Sequence, residues 1–295
     1  MSSLLRLSAE VAAALASGRP VVALETSIVG QGLPAPHNLR AARRCEAAIR
    51  DEGGVPATTA VLDGLLRVGL SDADLERIAG GNALKVSSRD LGPALARGAV
   101  GATTVAASMR IASMAGIRFF ATGGIGGVHR GHPEDQSADL EELGRTAVAV
   151  FCAGAKIILD LPSTLERLDS LGVPVLGYGC DEFPAFYTRH GSGRVARVDG
   201  KEEAARVIHA AWETGARGIV VAVPPPGELD GAEEMADQAA RELSAVAGAD
   251  VTPRLLARMA ELSGGRSLEL NVDLAVNNAR TAALVAAAYG ALKGS

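Results

Sequence analysis

The chain has 295 residues, of which 48% are hydrophobic and 21% charged, so it can bury a substantial core and falls outside the disordered class. A net charge of −5, with no basic stripe and no aromatic-rich platform, argues against a nucleic-acid polymer as partner but leaves a small anionic ligand open, because local donors decide that. The 35 glycines and 3% aromatic content point to tight strand-to-helix turns and close backbone packing.

In chain order, the opening stretch MSSLLRLSAEVAAALASG reads as a short amphipathic helix ending at Gly18; it lacks the basic start and apolar run of a signal peptide. Strands are expected at 21–26, 84–87, 118–122, 147–152, 173–178 and 218–223. Helices are expected at 37–52, 71–79, 102–115, 162–171, 201–214, 232–247, 252–262 and 268–289, the last breaking near Asn277. This alternation predicts an α/β fold with a mainly parallel β-sheet core flanked by helices on both faces, a three-layer α/β/α arrangement. Pro224-Pro225-Pro226-Gly227 reads as a rigid loop leaving a strand, so one catalytic domain over 1–295 is expected. Cys45, Cys152 and Cys180 have no C-x-x-C spacing, which fits a reduced compartment, and no uncharged apolar run reaches membrane-spanning length. A cytoplasmic protein is expected.

Ligands in open α/β sheets bind beyond the carboxyl ends of the strands. The first such end delivers Glu25, Thr26 and Ser27, where a carboxylate is either a general acid or base or a cap for the following segment. Lysine is scarce: Lys85, Lys156, Lys201 and Lys293 stand against 25 arginines. Lys201 and Lys293 lie in polar contexts, whereas Lys85 in A-L-K-V-S-S and Lys156 in C-A-G-A-K-I-I-L lie in apolar ones. An ammonium in apolar surroundings tends to lose its proton, as a Schiff-base nucleophile requires; alternatively each lysine snorkels or pairs with a carboxylate at a sheet edge.

The segment A-T-G-G-I-G-G-V-H-R-G at 121–131 follows a strand and resembles a phosphate-cradling loop, or serves tight packing alone. It matches neither G-x-G-x-x-G nor a Walker loop, so a dinucleotide or nucleoside triphosphate is not expected. A second anion candidate is G-A-T-T-V at 101–105, where Thr103 or Thr104 can cap a helix. In Glu134-Asp135-Gln136-Ser137-Ala138-Asp139, the acids Asp135 and Asp139 can hold a hard divalent ion with a largely aqueous shell, or are solvated turn residues. No His/Cys cluster has zinc spacing.

Read together and in order, A-L-E-T-S-I-V-G-Q-G-L-P, G-A-T-T-V-A-A, A-T-G-G-I-G-G-V-H-R-G, S-A-D-L, C-A-G-A-K, G-V-P-V-L-G-Y, F-P-A-F-Y and N-x-x-L-x-x-N-N-A resemble the pseudouridine-5′-phosphate glycosidase family, also called the indigoidine synthase A family. The resemblance implies reversible conversion of pseudouridine 5′-phosphate and water into uracil and ribose 5-phosphate, a divalent metal, typically manganese, and a homotrimer. By motif it implies Lys156 as nucleophile and Glu25 as proton donor. It implies Lys85, Val105, Ser137, Ala138 and Asp139 as substrate ligands, Thr122, His129 and Asn271 as residues facing the base, and Asp135 as the metal ligand. The loop between His129 and Ser137 is shorter than the family pattern, so Glu134 stands as an alternative ligand to Asp135. Asp139 or a metal-bound water is then expected to shuttle protons. Two other readings use the same residues: a lysine-dependent aldolase or lyase on another phosphosugar, and a non-catalytic sugar-phosphate-binding protein.

Overall fold

A computed structural model of the chain describes residues 3–243 and 251–294. The strands are β1 (Leu5–Leu7), β2 (Val21–Leu24), β3 (Val55–Leu62), β4 (Leu65–Val68), β5 (Leu84–Val86), β6 (Gly101–Thr103), β7 (Phe119–Ala121), β8 (Val128–His129), β9 (His132–Gln136), β10 (Ala149–Cys152), β11 (Leu159–Asp160), β12 (Val175–Tyr178), β13 (Ala196–Val198) and β14 (Ile219–Ala222). The main sheet runs β1-β4-β3-β2-β7-β10-β14-β12-β13, with β6 also on β3 and β5 on β6. Only the β3–β4 and β3–β6 pairings in it are antiparallel, so the expected mainly parallel architecture is present. A second sheet of β11, β8 and β9 lies beyond the strand ends.

Every residue of β2, β3, β10 and β14 is buried, as strands covered on both faces must be. Helices His37–Asp51 and Arg266–Gly294 pack together in one layer, the latter against β2, β7 and β10. Helices Val105–Met114 and Ala138–Leu143 pack together in the other, the former against β2 and β3. The helix His37–Asp51 shows why: Ala41, Cys45, Ala48 and Ile49 repeat at helical spacing on its buried face, with arginines between them. One apolar cluster extends from Leu5 to Tyr289. Among the described residues, no helix is long and apolar enough to cross a membrane.

Four expectations need correction or completion. The opening segment is not one helix: Leu5–Leu7 pairs with β4, and the helix Ala9–Ala16 begins only after Ser8, whose hydroxyl accepts the Val11 N–H. The helix expected from 102 begins at Val105, because Gly101–Thr103 forms β6 against β3 and β5. The last helix does not break near Asn277. There, the Asn278 amide donates to the carbonyls of Thr122 and Gly123, and the Asn277 amide donates to that of Pro224, so polar residues tether the helix instead of ending it. The helix expected over 232–247 is seen as Ala232–Glu242, and its expected end lies outside the described residues.

The sheet register sets up the site. Leu24 pairs with Ala121, and Ala121 with Phe151, so the carboxyl ends of β2, β7 and β10 finish level. The residues just past those ends are therefore neighbours.

Candidate active site

A cavity of about 510 Å³ opens over these strand ends. Its lining brings together Glu25, Lys85, Val105, Thr122, His129, Asp135, Ser137, Ala138, Asp139, Lys156 and Asn271; Glu134 and Thr103 lie outside it.

Glu25 follows β2 and Thr122 follows β7, and the Thr122 hydroxyl donates to one Glu25 carboxylate oxygen. The Ser27 hydroxyl donates to the other. Burial pushes the Glu25 carboxyl above its ordinary value of 4.5. The Lys156 ammonium and the two hydroxyls pull it back, and the charge of Asp139 adds to the rise. A carboxyl held this way keeps its proton longer than one in water, as a general acid must. Both oxygens accept from side chains within the cavity and neither caps a helix start, so Glu25 is not a cap for the following segment.

Lys156 is set by a tight turn after β10. Its N–H donates to the Ile125 carbonyl at 3.2 Å, and the Ile125 N–H donates to Gly154 at 3.1 Å, so the C-A-G-A-K segment and the glycine loop hold each other. Gly154 has φ +78°, and a Cβ there would lie 1.9 Å from the Pro184 carbonyl oxygen, so only glycine fits. Among the described residues Lys156 forms no salt bridge, and its charge acts on the Glu25 carboxyl.

Three N–H groups of the glycine loop are already engaged within the protein. The N–H groups of Ile125, Gly126 and Val128 donate to the Gly154 carbonyl, the Asp139 carboxylate and the Thr164 hydroxyl. Its glycines allow close approach: a Cβ on Gly126 would stand 2.2 Å from Ser137 Oγ. The second anion candidate is the start of the helix Val105–Met114. Its N-cap, Thr104, makes no side-chain capping bond, and Thr104 Oγ1 is buried without a partner beside the cavity. A helix start with a spare hydroxyl and a positive dipole end favours an anion. Thr103, the other candidate cap, is fully buried in a cluster of hydroxyls with Thr26, Thr59 and Ser108.

Asp139 does not fit the shuttle role. One oxygen accepts the Ala106 N–H at 2.9 Å and the other the Gly126 N–H at 2.8 Å, joining the anion-facing helix to the glycine loop. A buried carboxylate so engaged is a brace. Ser137 caps the neighbouring short helix by accepting the Asp139 N–H, and donates its own N–H to the Gly127 carbonyl.

At the rim, Lys85 is exposed on β5, the outermost strand of its branch, so its surroundings are not apolar as expected; its two strand neighbours do not enclose it. His129 and Asp135 belong to the three-stranded sheet. His129 Nδ1 lies 3.0 Å from the Asp135 carbonyl and 3.3 Å from its carboxylate. Asp135 lines the cavity; Glu134 pairs with His132 and does not. Asn271 is buried on the long helix, where it helps hold the Tyr187 hydroxyl; burial pushes that phenol well above its ordinary range. Ser27 and Phe186 were not anticipated. Ser27 shares the A-L-E-T-S motif with Glu25; Phe186 takes φ +62° and closes the wall behind Gly124, which no spacing rule anticipates.

A buried carboxyl, a lysine outside any salt bridge and an open helix start, gathered over the ends of parallel strands, fit an α/β enzyme site that takes an anionic ligand. The family model described as "Indigoidine synthase A like protein" matches residues 10–288. The chain is 51% identical over 299 residues to the pseudouridine-5′-phosphate glycosidase of Sorangium cellulosum, covering 98% of this chain and 94% of that one. It is 52% identical to that of Deinococcus radiodurans, covering 99% and 97%. Among solved structures it resembles the prealnumycin C-glycosynthase AlnA in complex with ribulose 5-phosphate, with a TM-score of 0.90, 38% identity and coverage of 100% and 99%. It also resembles an indigoidine synthase A-like protein of Thermotoga maritima, with a TM-score of 0.86, 32% identity and 96% coverage of each chain. The chain belongs to the indigoidine synthase A-like family.

Proposed function

We propose that this enzyme reversibly cleaves the carbon–carbon glycosidic bond of pseudouridine 5′-phosphate, giving uracil and ribose 5-phosphate, through an imine on Lys156. The observation that carries the reading is that the buried Glu25 carboxyl, Lys156 and the open start of helix Val105–Met114 share one cavity. Kinship to glycosidases of that name and to a C-glycosynthase that binds a pentulose phosphate supports the substrate class.

The chemistry accounts for the residue types. A C–C glycoside has no heteroatom leaving group to protonate, so a pair of carboxylates alone would be a poor catalyst. Glu25 gives its proton to the ribose ring oxygen as the ring opens, while the neutral amine of Lys156 bonds to C1′. The nitrogen, charged once it has bonded to C1′, gives up one proton, and one is added at the uracil carbon. The nitrogen lone pair forms the C=N bond as the C1′–C bond breaks and its electrons return to the uracil ring. Water hydrolyses the imine, freeing ribose 5-phosphate and Lys156. The phosphate rests at Thr104 and Val105, with Lys85, Ser137 and Ala138 at its side, and Thr122, His129 and Asn271 face the base.

A divalent ion, manganese by the same resemblance, is part of the proposal, with Asp135 to hold it. Among the described residues no group of three or more His, Cys, Asp or Glu can hold a metal. The half-exposed Asp135 carboxylate at the cavity rim fits a hard ion that keeps most of its ligands as water. Bound there, the ion would supply positive charge and polarised water at the rim. We further propose a cytoplasmic homotrimer, for which light scattering should read three chain masses of 30.0 kDa.

The test is to incubate the protein with manganese, uracil and ribose 5-phosphate, reduce with borohydride and map the adduct by peptide mass. A pentose-phosphate adduct on Lys156, with pseudouridine 5′-phosphate in the untrapped control, is expected. An adduct elsewhere with product still formed discards the mechanism and keeps the reaction. Product from other aldol donors alone moves the assignment to an aldolase, and neither adduct nor product moves it to a binding protein.

A further inference from the structure

Beside the ligand cavity, sharing Glu25, Ile28, Thr122 and Gly123 with it, lies a second and much smaller cavity of about 20 Å³. Glu25, Thr122, Cys45 and Thr58 are among its walls. That volume holds about one water, and a water there has the polar partners it needs in the Glu25 carboxyl and the hydroxyls of Thr58 and Thr122. Thr58 is buried on β3, directly beside Leu24 in the sheet register. Its hydroxyl donates to the carboxylate of Glu46, on the helix His37–Asp51. Glu46 is half-buried, so one end of this row meets solvent and the other meets Glu25.

We propose that Thr58 and Glu46, neither of which lines the ligand cavity, form with one water in the small cavity a proton path between Glu25 and solvent. The inference rests on the reading of Glu25 as proton donor. A bound nucleotide fills the large cavity and cuts Glu25 off from bulk water on that side. After Glu25 has given its proton to the sugar, its carboxylate takes one from the water, the water takes one from Thr58, Thr58 takes one from Glu46, and Glu46 takes one from solvent. Each oxygen gives one proton and gains one, so no charge is left inside, and the path runs outward as readily as inward. Thr58 and Glu46 are positioning residues, since neither touches the sugar.

The electrostatics agree. Burial is the largest influence on Glu46 and raises its carboxyl above the ordinary 4.5, as it does that of Glu25, so both ends of the path retain protons readily. The groups facing Glu46 are Thr58 and Arg50, which lower it, and Asp72 and Glu10, which raise it. Between the two carboxyls stands the Cys45 thiol, which burial pushes up to about 12, so it stays neutral and does not compete for the proton. The charges facing Glu25 are Lys156 and Asp139.

The experiment measures pseudouridine 5′-phosphate cleavage by Thr58→Val, Thr58→Ser, Glu46→Gln and Glu25→Gln in ordinary and heavy water across pH. Thr58→Val should lower kcat about tenfold with KM within about twofold of the parent and a larger solvent isotope effect. Thr58→Ser should restore kcat, and Glu46→Gln should repeat the loss with the alkaline limb of kcat displaced. Glu46→Gln carries the test alone if Thr58→Val does not fold, because its amide can still accept the Thr58 hydroxyl. Parent-like kcat and isotope effect in Thr58→Val and Glu46→Gln, with Glu25→Gln inactive, overturns the path and leaves the function intact. A loss in Thr58→Val that Thr58→Ser does not restore marks a packing effect and also overturns it. Full turnover in Glu25→Gln removes the reading of Glu25 itself, and the path with it.

Discussion

The middle of the sheet and its outer pieces contribute to one cavity in different ways. At the middle, Glu25, Thr122 and Lys156 stand just past β2, β7 and β10, strands buried on both faces, and side-chain and backbone hydrogen bonds join them. At the outside, Lys85 sits on β5, and His129 and Asp135 sit on the short strands β8 and β9, where β9 is exposed along its whole length. The contrast separates two tasks. Proton and carbon chemistry needs low dielectric and fixed positions, which only the covered strand ends supply. Anion and ion binding at the rim needs water and room to exchange, which exposed edges supply.

The largest effect should come from the middle. Lys156→Ala should cost about 1,000-fold or more in kcat, because no other described lysine stands over the strand ends beside Glu25, and the borohydride adduct should vanish. Glu25→Gln should cost about 100-fold or more and carries a pH signature. The raised Glu25 carboxyl must be protonated to act, so parent activity should hold below its raised value and fall as pH rises through it; residual activity of the variant should lack that limb. Stability has the same sign. Between the ordinary 4.5 and the raised folded value, the folded protein keeps a proton that the unfolded chain releases, so stability falls as pH rises. Chemical denaturation of Glu25→Gln from pH 4 to 8 should show a flatter decline. A decline equal to the parent's would mean that Glu25 is not held in its neutral form.

Next is the brace between the two regions. Asp139→Ala leaves the Ala106 and Gly126 N–H groups without an acceptor and should cost about 2 kcal/mol of stability with a raised KM. A proton shuttle at Asp139 would instead lower kcat and leave the denaturation midpoint in place. At the rim, Asp135→Asn should weaken the response of the rate to added manganese and leave the midpoint unchanged, because the side chain is half exposed and, among the described residues, pairs with His129 alone.

This division also explains what could be read from the sequence. Strands at the middle are unbroken apolar runs, and the residues that end them are polar and conspicuous, so Glu25, Thr122 and Lys156 stand out. Lys85 was placed on its strand but given the wrong surroundings, because an apolar run of three residues reads the same at an edge as in a core. The glycine loop and G-A-T-T-V both read as anion candidates, and spacing does not rank them. Glycines that admit a ligand and glycines that admit a neighbouring side chain look alike until Ser137 and Thr164 are seen against Gly126 and Gly127. Strand β1 was lost inside a helical pattern, because its partner β4 lies far along the chain.

The hairpin of β3 and β4 was overlooked although its signal was present: Asp63-Gly64 between V-P-A-T-T-A-V-L and L-L-R-V, both turn residues at positive φ, at 54° and 74°. It gives the smallest expected effect and the sharpest contrast. Gly64→Ala puts a Cβ in a left-handed position, 3.3 Å from the Leu95 carbonyl oxygen, and should cost about 1 kcal/mol. The strain falls at the outer end of β3, whereas Thr58, beside Leu24, lies in the part of that strand that meets the middle of the sheet. A lower denaturation midpoint with unchanged kcat and KM would show that the edge contributes stability while the middle performs the chemistry. A fall in kcat would show that strain at the turn travels along β3 to the strand ends, and that the two regions are one mechanical unit.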